Sequence, residues 1–103
     1  MTQANAKTPL PSWLVVTDEH AIVTMRGAVE LGGVKTDRLS MRAPTLKDMR
    51  AAKATANGDF EQIELNMFCS LLQATEAELL AMGIKNYNRL QAGYFRLVDE
   101  DEL

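Results

Sequence analysis

The side chains that most often perform catalysis or bind metal are few in this sequence and lie far apart. His20 is the only histidine and Cys69 the only cysteine, so an internal disulfide and a cysteine-built zinc site are both excluded. Ser12, Ser40 and Ser70 lie outside any Gly-x-Ser-x-Gly motif, which leaves a hydrolase triad through His20 without its usual nucleophile turn. We expect a non-catalytic protein with no metal and no cofactor.

Three other features that could carry chemistry have simpler structural interpretations. Gly32-Gly33 lacks both the lysine of a phosphate-binding loop and the Gly-x-Gly-x-x-Gly pattern, and a hairpin turn explains it. Glu61 and Glu64 lie one helical turn apart, which is typical of a solvated helix face. Cys69 has apolar neighbours and no cation beside it, so packing is favoured over reactivity.

The sequence MRAPTLKDMR, near the middle of the chain, predicts a corner between a strand and a helix. Pro44 ends the strand, Thr45 is a typical helix N-cap, and Asp48 completes a shortened capping box. Arg42 and Arg50 flank this corner. They either pair with Asp48 or form a small basic rim for an acidic partner helix.

Two strands are predicted before this corner. Residues 21–31 alternate between apolar and polar side chains, and a second strand covers about 35–42. The sequence WLVV at 13–16 predicts a short third strand.

The register of the predicted hairpin follows from the parity of its apolar positions. A two-residue glycine turn would split one apolar face between the two sides of the sheet. A three-residue loop, 32–34, instead pairs Met25 with Met41 and Gly27 with Leu39, and we therefore favour it.

Helical periodicity dominates the rest of the chain. Two helices are predicted over about 46–56 and 60–73. Thr75 opens a full capping box before a short third helix, which ends at Gly83 in a left-handed conformation. Asn86 is predicted to cap a fourth helix.

These elements predict an α+β fold: an N-terminal antiparallel β-hairpin, with three strands as an alternative, followed by three to four short helices. Residues 1–12 are predicted to form a mobile arm, 13–98 a single domain and 99–103 a solvated acidic tail.

Charge and length narrow the class of function. The chain has 103 residues, enough for one domain. The formal charge is −3 and the pI about 5.1, which argues against a nucleic-acid partner because phosphate binders usually carry a basic patch. No apolar run approaches the roughly 20 residues of a membrane helix, and the N-terminus lacks a signal peptide's apolar centre. We expect a soluble cytoplasmic protein.

The second and fourth helices carry apolar stripes with two interpretations. On the second helix Met67 and Leu71 share one stripe, and on the fourth Tyr87, Leu90 and Tyr94 keep helical spacing. These side chains either fill the core or form an adaptable apolar surface for a partner. We predict them as candidate partner-binding residues, together with the two arginines of the corner.

The order of these motifs resembles the Mu-like phage tail assembly chaperone family, of the E, 41 or 14 type. Members show Leu-x-Leu-Arg-x-Pro-x-x-x-Asp-Leu-Arg, and the matching residues here are Leu39, Met41, Arg42, Pro44, Asp48, Met49 and Arg50. A later segment resembling Asp-Tyr-x-Arg-Leu-Gln matches Tyr87, Arg89, Leu90 and Gln91, with Asn86 in place of the aspartate. The resemblance covers roughly residues 22–97.

The resemblance implies a non-enzymatic chaperone in the host cytoplasm that is absent from the mature virion. Its implied partner is the tape-measure protein, held soluble until the tail tube protein polymerises around it. A frameshift-extended form of the same chain is a further implied partner. An exposed edge of the predicted hairpin would also allow homo-oligomers.

Two other functions are alternatives to the chaperone. Compact helices and scattered arginines also occur in small DNA-binding regulators of phage origin, although the acidic pI argues against one here. A small enzyme is disfavoured because no catalytic constellation is present.

Overall fold

The computed structural model describes residues 9–99, which form a three-stranded antiparallel sheet followed by four helices. The strands are β1 (Leu14–Val16), β2 (His20–Leu31) and β3 (Val34–Arg42), with β2 in the middle. The helices are α1 (Leu46–Ala54), α2 (Phe60–Leu72), α3 (Glu76–Leu80) and α4 (Ile84–Val98). The predicted α+β fold is confirmed, with the third strand present.

Two parts of the predicted domain organisation fall at the ends of the chain. Residues 1–8 of the predicted arm and 100–103 of the predicted acidic tail lie outside the described residues.

Capping side chains start two of the helices as the sequence predicts. At α1, Thr45 accepts from the Asp48 N–H, and the Asp48 carboxylate accepts from the Thr45 N–H. At α3, Thr75 and Glu78 make the same reciprocal pair. Each box satisfies two backbone donors that the first turn would otherwise leave unpaired.

The turn between β2 and β3 has two residues, and the predicted three-residue loop is wrong. Leu31 pairs directly with Val34, and Gly32 and Gly33 form the turn with φ values of 60° and 79°. Positive φ at both central residues suits the mirror-image turns that match strand twist. Two glycines are therefore sufficient to close the hairpin.

A bulge in β2 removes the conflict that had favoured the longer loop. The ladder shifts between Thr24 and Val29, where residues 25–28 of β2 lie opposite Asp37 of β3. Gly27 lies inside the bulge with φ +82°, a conformation that favours glycine. The hairpin therefore has one register near its tip and a different one near its base.

Between the bulge and the open end of the hairpin, the apolar residues of both strands lie on the same face of the sheet. Val23 pairs with Leu39 and Ala21 pairs with Met41, so the predicted pair between Met25 and Met41 is wrong. All five side chains are buried. The apolar set stays together as expected, but a bulge rather than a longer turn achieves it.

Asn86 holds the backbone of this bulge and does not cap α4. Its Oδ1 accepts from the Arg26 N–H at 2.7 Å, and its Nδ2 lies 3.4 Å from the Arg26 carbonyl oxygen. The side chain is only 8% exposed. The N-cap of α4 is Gly83, with φ −63°, so its predicted left-handed conformation is wrong as well.

The core lies between one face of the sheet and the helices. α2 packs against β3, while α4 packs against β2 and β1. Gly93 allows the close approach of α4, because a Cβ there would lie 3.0 Å from Val23 Cγ2. The buried apolar residues are Leu14, Ala21, Val23, Met25, Leu39, Met41, Ala52, Ala56, Met67, Phe68, Leu71, Leu79 and Leu90.

Candidate functional site

An ion pair between Arg42 and Asp48 holds the corner between β3 and α1. Arg42 donates to both carboxylate oxygens of Asp48, at 2.7 and 2.9 Å, in the bidentate geometry that arginine favours. The hydrogen bonds from Arg42, and then that from the Thr45 N–H, hold the pKa of Asp48 well below its usual range. The same pair raises the pKa of Arg42. Arg42 therefore pairs with Asp48, which was one of the two alternatives predicted from the sequence.

Arg50, the other arginine of the predicted rim, lies on α1. It is exposed on α1, and Lys47 and Lys53 of the same helix are exposed with it. The basic surface at this corner thus belongs to α1 and not to the Arg42 side chain.

Three of the candidate partner-binding residues are core residues. Met67 and Leu71 of α2 are each 2% exposed, and Leu90 of α4 is fully buried. In this conformation they hold α2 and α4 on the sheet, and their surface is inaccessible to a partner.

The two tyrosines of the candidate set lie between α2 and α4. The Phe68 ring is 5.5 Å from that of Tyr87 and 5.4 Å from that of Tyr94, measured between centroids. The Tyr87 hydroxyl donates to Glu64 Oε1 at 2.8 Å, and Gln91 Nε2 donates to the same oxygen at 2.9 Å. Burial, followed by the bond to Glu64, raises the pKa of Tyr87. The hydroxyl therefore stays protonated and links the two helices.

A groove of about 350 Å³ lies beside this link, between α2, α3 and α4. We call it the α2–α4 groove, and it contains both apolar and acidic side chains. Its lining residues are Glu61, Glu64, Leu65, Leu79, Leu80, Met82, Ile84, Tyr87, Asn88 and Gln91.

A smaller hollow of about 130 Å³ lies beside the rings of Phe68 and Tyr94. Glu64 lines both the hollow and the α2–α4 groove. Of the candidate residues, Met67 and Tyr94 line the hollow. The complete lining is Met49, Phe60, Ile63, Glu64, Met67, Phe68 and Tyr94.

Several large apolar side chains on α2, α3 and α4 are exposed although the sequence does not predict them as surface residues. Phe60 is 84% exposed, Ile84 71%, and Leu80 and Phe95 65% each. On α4, Ile84 and Phe95 lie outside the stripe formed by the tyrosines. On a helix whose buried stripe is already assigned, apolar residues outside that stripe are the sequence signal for an exposed apolar surface.

A cleft of about 490 Å³ lies on the other side of α3, where α3 faces the bulge of β2. Its lining includes Ala28, Ala77, Ala81, Gly83 and the acidic residue Glu30. Across the same region, Glu78 of the α3 capping box also accepts from the Gly32 N–H at 2.8 Å. That bond fixes the hairpin tip against α3.

Of the chemistry-bearing residues considered from the sequence, His20 is exposed on β2 and Cys69 is partly buried on α2. Within residues 9–99, no group of three His, Cys, Asp or Glu side chains is arranged to hold a metal ion. Burial raises the pKa of the Cys69 thiol, with smaller contributions from Glu76 and Glu78. In the same range, no helix has the length and apolar composition needed to cross a membrane.

Comparison of the chain with known protein families gives a match. A family model described as phage tail assembly chaperone proteins, E, or 41 or 14, matches residues 23–99. The chain belongs to this phage tail assembly chaperone family. No significant match was found among curated proteins or among solved structures.

In this tail assembly chaperone, the motif residues that carried the resemblance mostly support the fold. Arg89 donates to the Thr24 carbonyl oxygen at 2.7 Å, and its guanidinium lies 4.8 Å from the centre of the Trp13 ring. Gln91 and Tyr87 attach α4 to α2 through Glu64. The motifs therefore report how α4 is fixed to the rest of the chaperone.

Proposed function

We propose that this tail assembly chaperone binds the tape-measure protein in the host cytoplasm and keeps it soluble until tube subunits polymerise around it. The role is non-enzymatic, and the chaperone is absent from the finished virion. Family membership supports a role in tail assembly. The proposal goes further by naming the client and the surface that holds it.

The observation that carries the proposal is the set of exposed apolar side chains around α2 and α4. Phe60, Leu80 and Ile84 line the α2–α4 groove or the hollow and are each at least 65% exposed, although the chain has a closed core. Large apolar side chains grouped on a small protein mark a surface that meets another molecule. A tape-measure protein is long and helical, and its apolar faces are uncovered before the tube forms.

Binding of this client has to be reversible, because the tube replaces the chaperone. Burying one large apolar side chain fully contributes roughly 1.5–3 kcal/mol. A few such contacts, partly offset by the cost of association, give moderate affinity and fast release. A shallow surface with a handful of exposed apolar residues meets that requirement better than a deep pocket would.

The proposal is tested by co-expressing the chaperone with the tape-measure protein of the same phage. The measured quantity is the fraction of tape-measure protein that stays soluble after centrifugation. We expect a clear increase with the wild-type chaperone and loss of that increase with the Phe60→Ser/Ile84→Ser variant. Loss of about 2 kcal/mol of apolar contact corresponds to about 30-fold weaker binding.

The matched control is Val15→Ser/Val34→Ser, which removes two exposed apolar side chains from the sheet. It should protect the client as the wild type does. Circular dichroism and urea unfolding establish that both variants are folded. If the tape-measure protein aggregates equally with and without the wild-type chaperone, the proposed function is wrong.

A further inference from the structure

Among residues 9–99, the charged side chains that line the α2–α4 groove and the adjoining hollow are all acidic. In the described part of the chain, the charged residues that line either depression are Glu61 and Glu64. They lie three residues apart on α2, so both side chains lie on one side of the helix, about one turn apart. The depressions therefore present a negative strip inside an apolar rim.

Glu64 is held in place at the centre of this surface. The Tyr87 hydroxyl and the Gln91 side-chain amide both donate to its Oε1 atom. Both donors are neutral groups, so they fix the position of the carboxylate without neutralising its charge. A charge fixed beside apolar side chains interacts more strongly with an incoming cation than a mobile charge in open solvent does.

The rim restricts what can occupy the surface. Phe60 lines the hollow at one end, and Leu80 and Ile84 line the groove at the other, with all three side chains largely exposed. An occupant must therefore cover apolar side chains and also place positive charge opposite the strip. An amphipathic helix with basic residues beside its apolar stripe satisfies both requirements.

We propose that the α2–α4 groove, with its adjoining hollow, selects basic amphipathic helices of the client. The favoured segment has an apolar stripe and two Lys or Arg residues about one helical turn apart, which pair with Glu61 and Glu64. This inference rests on the proposed function, because the client is the tape-measure protein. It adds the chemical class of the segment bound.

Two synthetic helical peptides of about 18 residues, long enough to form a helix on binding, serve as probes. Both carry the same Leu and Ile stripe. One has lysines at two positions a turn apart beside the stripe, and the other has glutamates there. Fluorescence anisotropy measures the Kd of each peptide for the full-length chaperone at low and high salt.

We expect the lysine peptide to bind the wild type about ten-fold more tightly than the glutamate peptide at about 50 mM salt, from two partly screened charge pairs. The preference should shrink to about two-fold near 0.5 M salt. Glu61→Gln/Glu64→Gln should abolish the preference. Glutamine at 64 retains a carbonyl oxygen that can accept from Tyr87 and Gln91, so the link between α2 and α4 is preserved.

The control variant is Glu19→Gln/Glu30→Gln, which removes two exposed charges that line neither depression, one in the turn after β1 and one on β2. It changes the net charge equally and should keep the preference for the lysine peptide. Equal binding of both peptides to the wild type, or an unchanged preference in the Glu61/Glu64 variant, would overturn the inference. The proposed function fails separately, through loss of client protection in the co-expression assay.

A second copy of the chain is the alternative occupant, because α1 also exposes basic residues a turn apart at Lys47 and Arg50. Sedimentation at several concentrations tests it. Self-association that disappears in Glu61→Gln/Glu64→Gln would assign the groove to another copy and overturn the client assignment.

Discussion

Replacing Asn86 by alanine is the sharpest test of how the β2 bulge is held. The variant removes the acceptor of the Arg26 N–H at 2.7 Å and the weaker donor to the Arg26 carbonyl. A fully buried donor left without a partner costs about 1–3 kcal/mol, and this bond is part-buried, so the lower half of that range applies. Alanine recovers roughly 0.6 kcal/mol through its better helix propensity. The free energy of unfolding should fall by about 1 kcal/mol.

Urea unfolding monitored by circular dichroism measures this change. With an m-value of about 1 kcal/mol/M, the midpoint should fall by about 1 M. Asn88→Ala is the matched control, because Asn88 is exposed on the same helix and gains the same propensity. Its midpoint should stay the same or rise slightly.

A conservative variant separates the two hydrogen bonds. Asn86→Asp keeps an oxygen that can accept from the Arg26 N–H but loses the amide donor, so its midpoint should lie between those of wild type and Asn86→Ala. Faster hydrogen exchange of the Arg26 amide in Asn86→Ala would locate the effect. Equal midpoints for Asn86→Ala and Asn88→Ala would refute the assignment of Asn86 to the bulge.

Three further predictions concern the corner and the glycines. Thr45→Ala should lower the free energy of unfolding by about 1 kcal/mol, and an unchanged urea midpoint would disprove the cap. Arg42 lowers the pKa of Asp48 in the folded state. The ionised Asp48 therefore stabilises the fold above the unfolded-state pKa of Asp, and this stabilisation is lost as the pH falls below about 4. Asp48→Asn should therefore be less stable at pH 7 and respond less to acid, as urea midpoints across this range will show. Gly27→Ala should cost about 1–2 kcal/mol in thermal or urea unfolding, because its φ is +82°. Gly83→Ala, at φ −63° with open space around it, should cost less, about 0.5 kcal/mol for the poorer N-cap, and equal losses would contradict the reasoning.

Local signals in the sequence were sufficient for α1, α2, α3 and the corner, but not for the start of α4, where Gly83 and not Asn86 is the N-cap. The capping boxes at Thr45 and Thr75 act through residues three positions away, so the information needed is contained in the segment itself. The bidentate pair of Arg42 with Asp48 is equally local. Such features depend little on the tertiary fold.

The register of the hairpin could not be predicted because parity was applied to an uninterrupted ladder. Gly27 was the signal of a bulge, since an isolated glycine in a strand often marks one. What fixes the bulge is Asn86, sixty residues away along the chain. No local pattern connects Arg26 to that amide.

The predicted partner-binding residues stay a prediction, and the sequence could not show which of them the sheet covers. Periodicity places Met67, Leu71 and Leu90 on apolar stripes, and it does not distinguish a stripe that faces the sheet from one that faces solvent. The sheet covers these three, which leaves Phe60 and Ile84 outside. Glu64 was interpreted as a solvated residue because its partners lie on another helix.

The position of α4 has a consequence for how the molecule is made. α4 is the last helix and covers β2 and β1, which come first. During synthesis, the apolar face of the sheet therefore stays uncovered until α4 has left the ribosome. A premature stop after α3 would leave this face uncovered permanently, and the chain itself would then be prone to aggregate.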